Sequence, residues 1–211
     1  MKIDDLPTER LREMIWVYGL TRSGNHAIVD WIGARFPGSV HHNNYLPSKD
    51  LPDIPPEGKE IITFENKTEI PDTPGQRVVV CRSFYNMMAS KICYCRDQRR
   101  GTPDWSDQIE LWPYYIENAT IFYDKWLIDP YYLLKVEWKY GWSHHERLPS
   151  LAWVGSSFGD STVEPDRLLS RWRLMKRDED WDQVLKDDKC RLINLRYFGW
   201  SLNRNGELIW S

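Results

Sequence analysis

The sequence predicts a single α/β domain over residues 1–211: a three-layer α/β/α sandwich with a central parallel sheet, closed by a helical C-terminal segment. Three observations predict it. Short apolar runs recur at Ile15–Tyr18, Glu60–Phe64 and Arg77–Cys81, the pattern of strands covered on both faces. The first and third runs are each followed at once by a stretch that reads as helix. A chain of 211 residues, 41% hydrophobic, suits one sizeable core, and neither a composition break, an internal repeat nor a low-complexity tract marks a second unit.

Taken in order, Asp4–Met14 reads as a short amphipathic helix with Pro7 near its first turn, a structural cap on the domain. Ile15–Tyr18 is the first strand. Gly19 then opens a tight turn that Gly24 closes, and from Asn25 onward Ala27, Ile28, Trp31 and Ile32 fall at helical spacing. The helix ends near Phe36-Pro37-Gly38. Ser39–Tyr45, with His41 and His42, is a candidate strand, and Lys49–Lys59 is a loop rich in proline and acid. Glu60–Phe64 delivers Glu65, Asn66 and Lys67 at its carboxyl end, and the run through Cys81 ends at Arg82. Ser83–Arg100 reads as a helix whose basic end (Arg96, Arg99, Arg100) is a solvated face, with recruitment of an acidic acceptor as the alternative.

Asp107–Trp126 reads as one long helix, with Ile109, Trp112, Ile116, Ala119, Phe122, Tyr123 and Trp126 inward and Pro113 near its first turn. Tyr131–Trp138, YYLLKVEW, reads as a further strand. Beyond Gly141 the chain is turns and short helices, with a helical rhythm over Asp166–Trp200. Twelve tryptophans are many for this length. Core is their default role, and an aromatic acceptor pocket is the alternative.

The loop between the first strand and its helix carries the chemistry. Backbone NH groups at the helix start and the positive end of the helix dipole point into it, which favours anions. Gly19 and Gly24 have the spacing of a Walker A loop, but Asn25 and His26 stand where Lys and Ser/Thr would reach the terminal phosphates and Mg²⁺. A loop without that hydroxyl is poorly equipped for metal-assisted ATP hydrolysis. Its cation is Arg22, whose planar fork can hold a phosphate or sulfate without metal. Arg82 ends another strand, and ligands of open parallel sheets bind beyond the carboxyl ends, so both arginines face one ligand with two anionic groups. The plain alternative is a glycine pair that merely joins a strand to a helix.

These two segments, TRSGNH and RSFYNMMAS, resemble the phosphosulfate loop and the 3′-phosphate motif of the sulfotransferases that use 3′-phosphoadenosine-5′-phosphosulfate (PAPS). The resemblance implies a P-loop NTPase-like sheet, PAPS as donor substrate, Arg22, Ser23, Gly24, Asn25 and His26 at the phosphosulfate, and Arg82 and Ser90 at the 3′-phosphate. It further implies Glu65 as the base that takes the acceptor's proton, with His41 or His42 as second candidate, and Arg171 and Arg173 completing the 3′-phosphate site. A solvated strand-end charge is the alternative for Glu65. The sequence departs from the family at Asn25, His26 and Ala27, lacks a proline after Arg82 and the glycine-rich basic motif, and has Thr63 where cytosolic members carry a lysine, with Lys67 as its substitute.

The expected activity is transfer of a sulfuryl group to a hydroxyl or amine of a small-molecule or carbohydrate acceptor. A nucleoside or small-molecule kinase, or a non-catalytic nucleotide-binding module, is the alternative. A net charge of −3 argues against nucleic-acid and membrane-surface partners. No apolar stretch approaches the ~18–20 residues of a membrane span, and the charged N-terminus lacks a signal-peptide core, so a cytoplasmic setting is expected. Cys81, Cys93, Cys95 and Cys190 read as reduced thiols. Cys93 and Cys95 are too close to clasp zinc, and His41-His42 and His144-His145 lack partners at ligand spacing, so no metal is expected.

Overall fold

Strand β1 (Ile15–Gly19) is buried along its whole length because it lies at the centre of a five-stranded sheet of order β2-β3-β1-β4-β5, all parallel. The structure, a computed structural model, describes residues 7–43, 59–72, 74–97, 106–144, 169–175 and 178–211. On one side β1 pairs with β3 (Glu60–Glu65), Gly19 opposite Glu65. On the other it pairs with β4 (Gln76–Cys81), Gly19 opposite Val80. The carboxyl ends of all three strands therefore finish together. The short strands β2 (Val40–His42) and β5 (Ile121–Phe122) form the edges.

Alternate residues of β1 part to two cores, as a pleated strand requires. Ile15 and Val17 join Ile61, Val78 and Val80 beneath α2 (Asn25–Gly33), α5 (Tyr123–Ile128) and α6 (Pro130–Tyr140). Trp16 and Tyr18 join Phe64, Val79 and Cys81 against α3 (Phe84–Asp97), α4 (Ser106–Asn118) and the C-terminal helices α7 (Glu179–Leu185) and α8 (Asp188–Phe198). Helices thus cover both faces of the sheet. The N-terminal helix α1 is confined to Thr8–Glu13, and its Arg10 reaches the buried Glu60 at 3.0 Å.

Three expectations change. Tyr131–Trp138 is not a strand but the body of α6. The Asp129 carboxylate accepts the NH groups of Tyr131 and Tyr132, Pro130 occupies the first turn, and Leu133, Val136 and Glu137 are buried at helical spacing. The aromatic and β-branched run hides that start signal. The segment Asp107–Trp126 is not one helix either. After α4 the chain drops back onto the sheet at Thr120, whose NH donates to Val79 O at 2.9 Å and whose hydroxyl accepts from Val79 N at 2.8 Å. β5 follows, and then α5. Pro113 lies inside α4 rather than at its start. The carbonyl of Ile109, which the missing proline NH would have reached, accepts the Cys190 thiol at 3.7 Å.

The C-terminal stretch is helical as expected, beginning with a 3₁₀ turn at Arg171–Met175, but it closes with an antiparallel hairpin, β6 (Trp200–Leu202) and β7 (Leu208–Trp210), that the helical rhythm did not foretell. Loop 49–58, residues 1–6, Arg99, Arg100 and Trp153 lie outside the described residues.

α2 and α6 are latched at their C-terminal ends. Arg35 donates to Glu137 Oε1 and to Trp31 O, sends Nε to Ser143 O at 3.2 Å, and lies 3.8 Å over the Trp31 ring. Glu137 also binds His144 Nδ1 at 2.8 Å.

Candidate anion site at the carboxyl end of the sheet

The β1–α2 loop takes its shape from two left-handed residues, Arg22 (φ 74°) and Gly24 (φ 95°). Gly19 is required for a different reason: a Cβ there would lie 1.9 Å from Asn25 Oδ1, because Asn25 folds back over the strand end. Asn25 is buried, and its amide reaches Leu20 O at 3.4 Å and Glu65 Oε1 at 3.5 Å. The buried Ser23 hydroxyl sits 2.7 Å from Leu20 O and 2.8 Å from Asn25 Oδ1. From the neighbouring strand, Asn66 accepts the NH of Thr21 at 2.9 Å and donates to its hydroxyl at 2.7 Å. Side chains therefore brace the loop from within, while no side chain caps the start of α2. Its first NH groups are left to face the turn.

Three guanidiniums gather round this turn. Arg22 lies 3.6 Å over the ring of Tyr94, from α3. Arg82, only 3% exposed, stands 5.2 Å from the Tyr123 ring centroid. Arg171, 6% exposed, donates to the Ser90 hydroxyl at 3.0 Å. Burial, then repulsion from Arg82 and more weakly Arg22, holds Arg171 down to about 9. Burial also lowers Arg22, opposed by Tyr94 and Glu65. Tyr123 is raised by burial and pulled back by Arg82 and Arg171. The turn from β4 into α3 is held by Asp124, whose carboxylate takes the NH of Ser83 at 2.6 Å, its hydroxyl at 3.1 Å and the Asn86 amide at 3.2 Å.

Concentrated positive charge beside uncapped helix NH groups favours an anion there. A ligand with two anionic groups would offset the mutual repulsion of the arginines, and charge-assisted hydrogen bonds to it are worth roughly 1.5–3 kcal/mol each.

Of the residues singled out in the sequence, Arg22, Ser23, Gly24, Asn25, Glu65, Arg82, Ser90 and Arg171 are brought together here. Ser23 and Asn25 spend their side chains on the loop itself. The His26 ring turns to the sheet edge, 6.0 Å from His41. His41 Nε2 is 3.2 Å from Thr63 Oγ1. The His41 ring is desolvated by its neighbours although the residue as a whole is exposed, and this, with repulsion from His26 and His42, lowers its pKa. His42 is lowered by burial too, and its Nε2 has no hydrogen-bond partner among the described residues. Lys67 Nζ rests 5.5 Å from the Phe64 ring.

Arg173 stands apart. It is exposed, lies 5.3 Å over Trp172 and lines a separate cavity of about 620 Å³ with Trp181, Arg204 and Glu207. A 3₁₀ turn has three residues per turn, so positions two apart point in different directions. Tyr94, Tyr123 and Asn66 belong to the site but carry no motif. Tyr123 reads as helix core in the sequence, and only the unseen break before it brings its ring beneath the loop. Among the described residues no cluster of three His, Cys, Asp or Glu could hold a metal. No protein-family model matches the chain, nor does any curated protein or solved structure.

Proposed function

We propose that the protein is a sulfotransferase that takes the sulfuryl group of PAPS on a P-loop-like cradle and passes it to a hydroxyl or amine of a small-molecule or carbohydrate acceptor. The observation that carries the reading is the convergence of Arg22, Arg82 and Arg171 on the uncapped start of α2. Two anionic groups fit this arrangement: the phosphosulfate against Arg22 and the loop NH groups, the 3′-phosphate against Arg82, Ser90 and Arg171. Loss of the sulfuryl group leaves charge on the 5′-phosphate, which Arg22 stabilises in this reading. Glu65, hydrogen-bonded to Asn25 and within electrostatic reach of Arg22, takes the acceptor's proton as the acceptor atom bonds to sulfur. His41 is the second candidate for that proton. Four free cysteines suit a reducing, cytoplasmic setting.

Calorimetric titration with adenosine 3′,5′-bisphosphate, beside ATP with and without magnesium, tests the donor site without knowledge of the acceptor. The expected result is micromolar or tighter bisphosphate binding without metal, weakened about 10- to 100-fold in Arg82→Ala, the loss of one charged hydrogen bond. Binding of magnesium ATP alone would overturn the reading in favour of a kinase.

A further inference from the structure

Helix α6 buries one side and leaves the other bare. Leu133, Val136 and Glu137 face the core at 3–4% exposure, whereas Tyr131, Leu134 and Trp138 are 76%, 46% and 87% exposed. The three exposed residues fall at i, i+3 and i+7, a single stripe along the 11-residue helix. Ile128, 55% exposed at the end of α5, stands just ahead of it. Exposed Lys135 lies within the stripe and exposed Lys139 flanks it one turn further on. The acids nearby are turned to other work. Glu137 is on the buried side, bonded to Arg35 and His144, and the Asp129 carboxylate caps the first turn. The bare face therefore presents tryptophan, tyrosine, leucine and two cations, and α6 contributes no carboxylate to it.

We propose that this face of α6 docks the protein on an anionic lipid surface, the helix lying in the plane of the interface. Trp and Tyr rings settle at headgroup depth, Leu reaches the acyl boundary, and lysine stems lie along apolar surface while their ammonium groups meet lipid phosphates and carboxylates. Four apolar side chains are far fewer than the ~20–30 residues a side of a standard protein–protein interface, but a bilayer needs no complementary shape. No helix among the described residues is long and apolar enough to cross a membrane, so the contact is at the surface. The whole-chain charge of −3 opposes such binding at long range. At physiological salt the screening length is about 8 Å, so the lysines nearest the lipid dominate once contact is made. This surface is independent of the arginine site.

The test is co-sedimentation of the full chain with phosphatidylcholine vesicles, with and without phosphatidylserine. Binding should require phosphatidylserine and weaken with added salt. Lys135→Gln with Lys139→Gln should weaken it about 25-fold, roughly fivefold per lysine. Trp138→Ser should weaken it at least tenfold, and both variants, altered only at exposed positions, should keep the wild-type thermal midpoint. No sedimentation with phosphatidylserine vesicles overturns the proposal, as does binding that ignores both variants. Self-association in lipid-free ultracentrifugation that Trp138→Ser abolishes, with no vesicle binding, would make the face a contact between copies and overturn it equally.

Discussion

The ring of Tyr123 fills the space that a side chain on Gly24 would need: a Cβ there would lie 2.2 Å from its Cδ2. Tyr123 cannot move aside easily, since it is 6% exposed and stacks on Trp126 at 5.6 Å. The β1–α2 loop is thus keyed to the junction of β5 and α5, about a hundred residues along the chain.

Gly24→Ala meets two penalties, the left-handed φ of 95° at about 1–2 kcal/mol and an overpacked contact at about 1–3 kcal/mol. Urea denaturation should show a loss of roughly 2–5 kcal/mol. Adding Tyr123→Leu should recover the steric part and leave the backbone part. A Gly24→Ala protein within about 0.5 kcal/mol of wild type would show that the loop is not held as described.

Arg171 gives a pH signature. Its pKa is held down to about 9 by burial, Arg82 and Arg22, and a bound anion would push it back up. Binding of the bisphosphate near pH 9 should therefore take up a proton, and affinity should fall as the pH rises through 9. At neutral pH Arg171 is charged in both states and contributes no proton change. Calorimetry at pH 9 in buffers of different ionisation enthalpy reads the uptake directly. The same depression costs folding stability wherever Arg171 is charged in both folded and unfolded chains, in full below about 9 and progressively less above it. Arg171→Met should accordingly bind the bisphosphate more weakly while raising the melting temperature at pH 7, by about 2–4 °C for each kcal/mol relieved.

The latch between Arg35 and Glu137 should be costly to break and cheap to replace. Both side chains are almost wholly buried. Glu137→Leu leaves the buried guanidinium without its carboxylate, hydrogen-bonded among the described residues to the carbonyls of Trp31 and Ser143 alone, and denaturation should show a loss of about 3–5 kcal/mol. Arg35→Met combined with Glu137→Leu should recover most of it. Equal losses in the single and double variants would show that the pair is not the unit that matters.

Sequence alone determined the parts of this protein that depend on short-range pattern. The buried parallel strands, the Gly19–Gly24 turn feeding α2, and Arg22, Glu65 and Arg82 at adjacent strand ends all follow from local period and turn geometry, which neighbouring residues encode. Tertiary structure decided what depends on partners far along the chain. YYLLKVEW became α6 because Leu133 and Val136 share a core with Ile15 and Val17, more than a hundred residues earlier, on one side only. A long helical pattern was cut at Thr120 because Val79 offers it both halves of a backbone pair. Arg171 reaches Ser90 across 81 residues, while Arg173, two positions on, faces solvent. Local sequence sets which conformations a segment can adopt, but the free energy that selects among them comes from buried contacts made only once the sheet has closed.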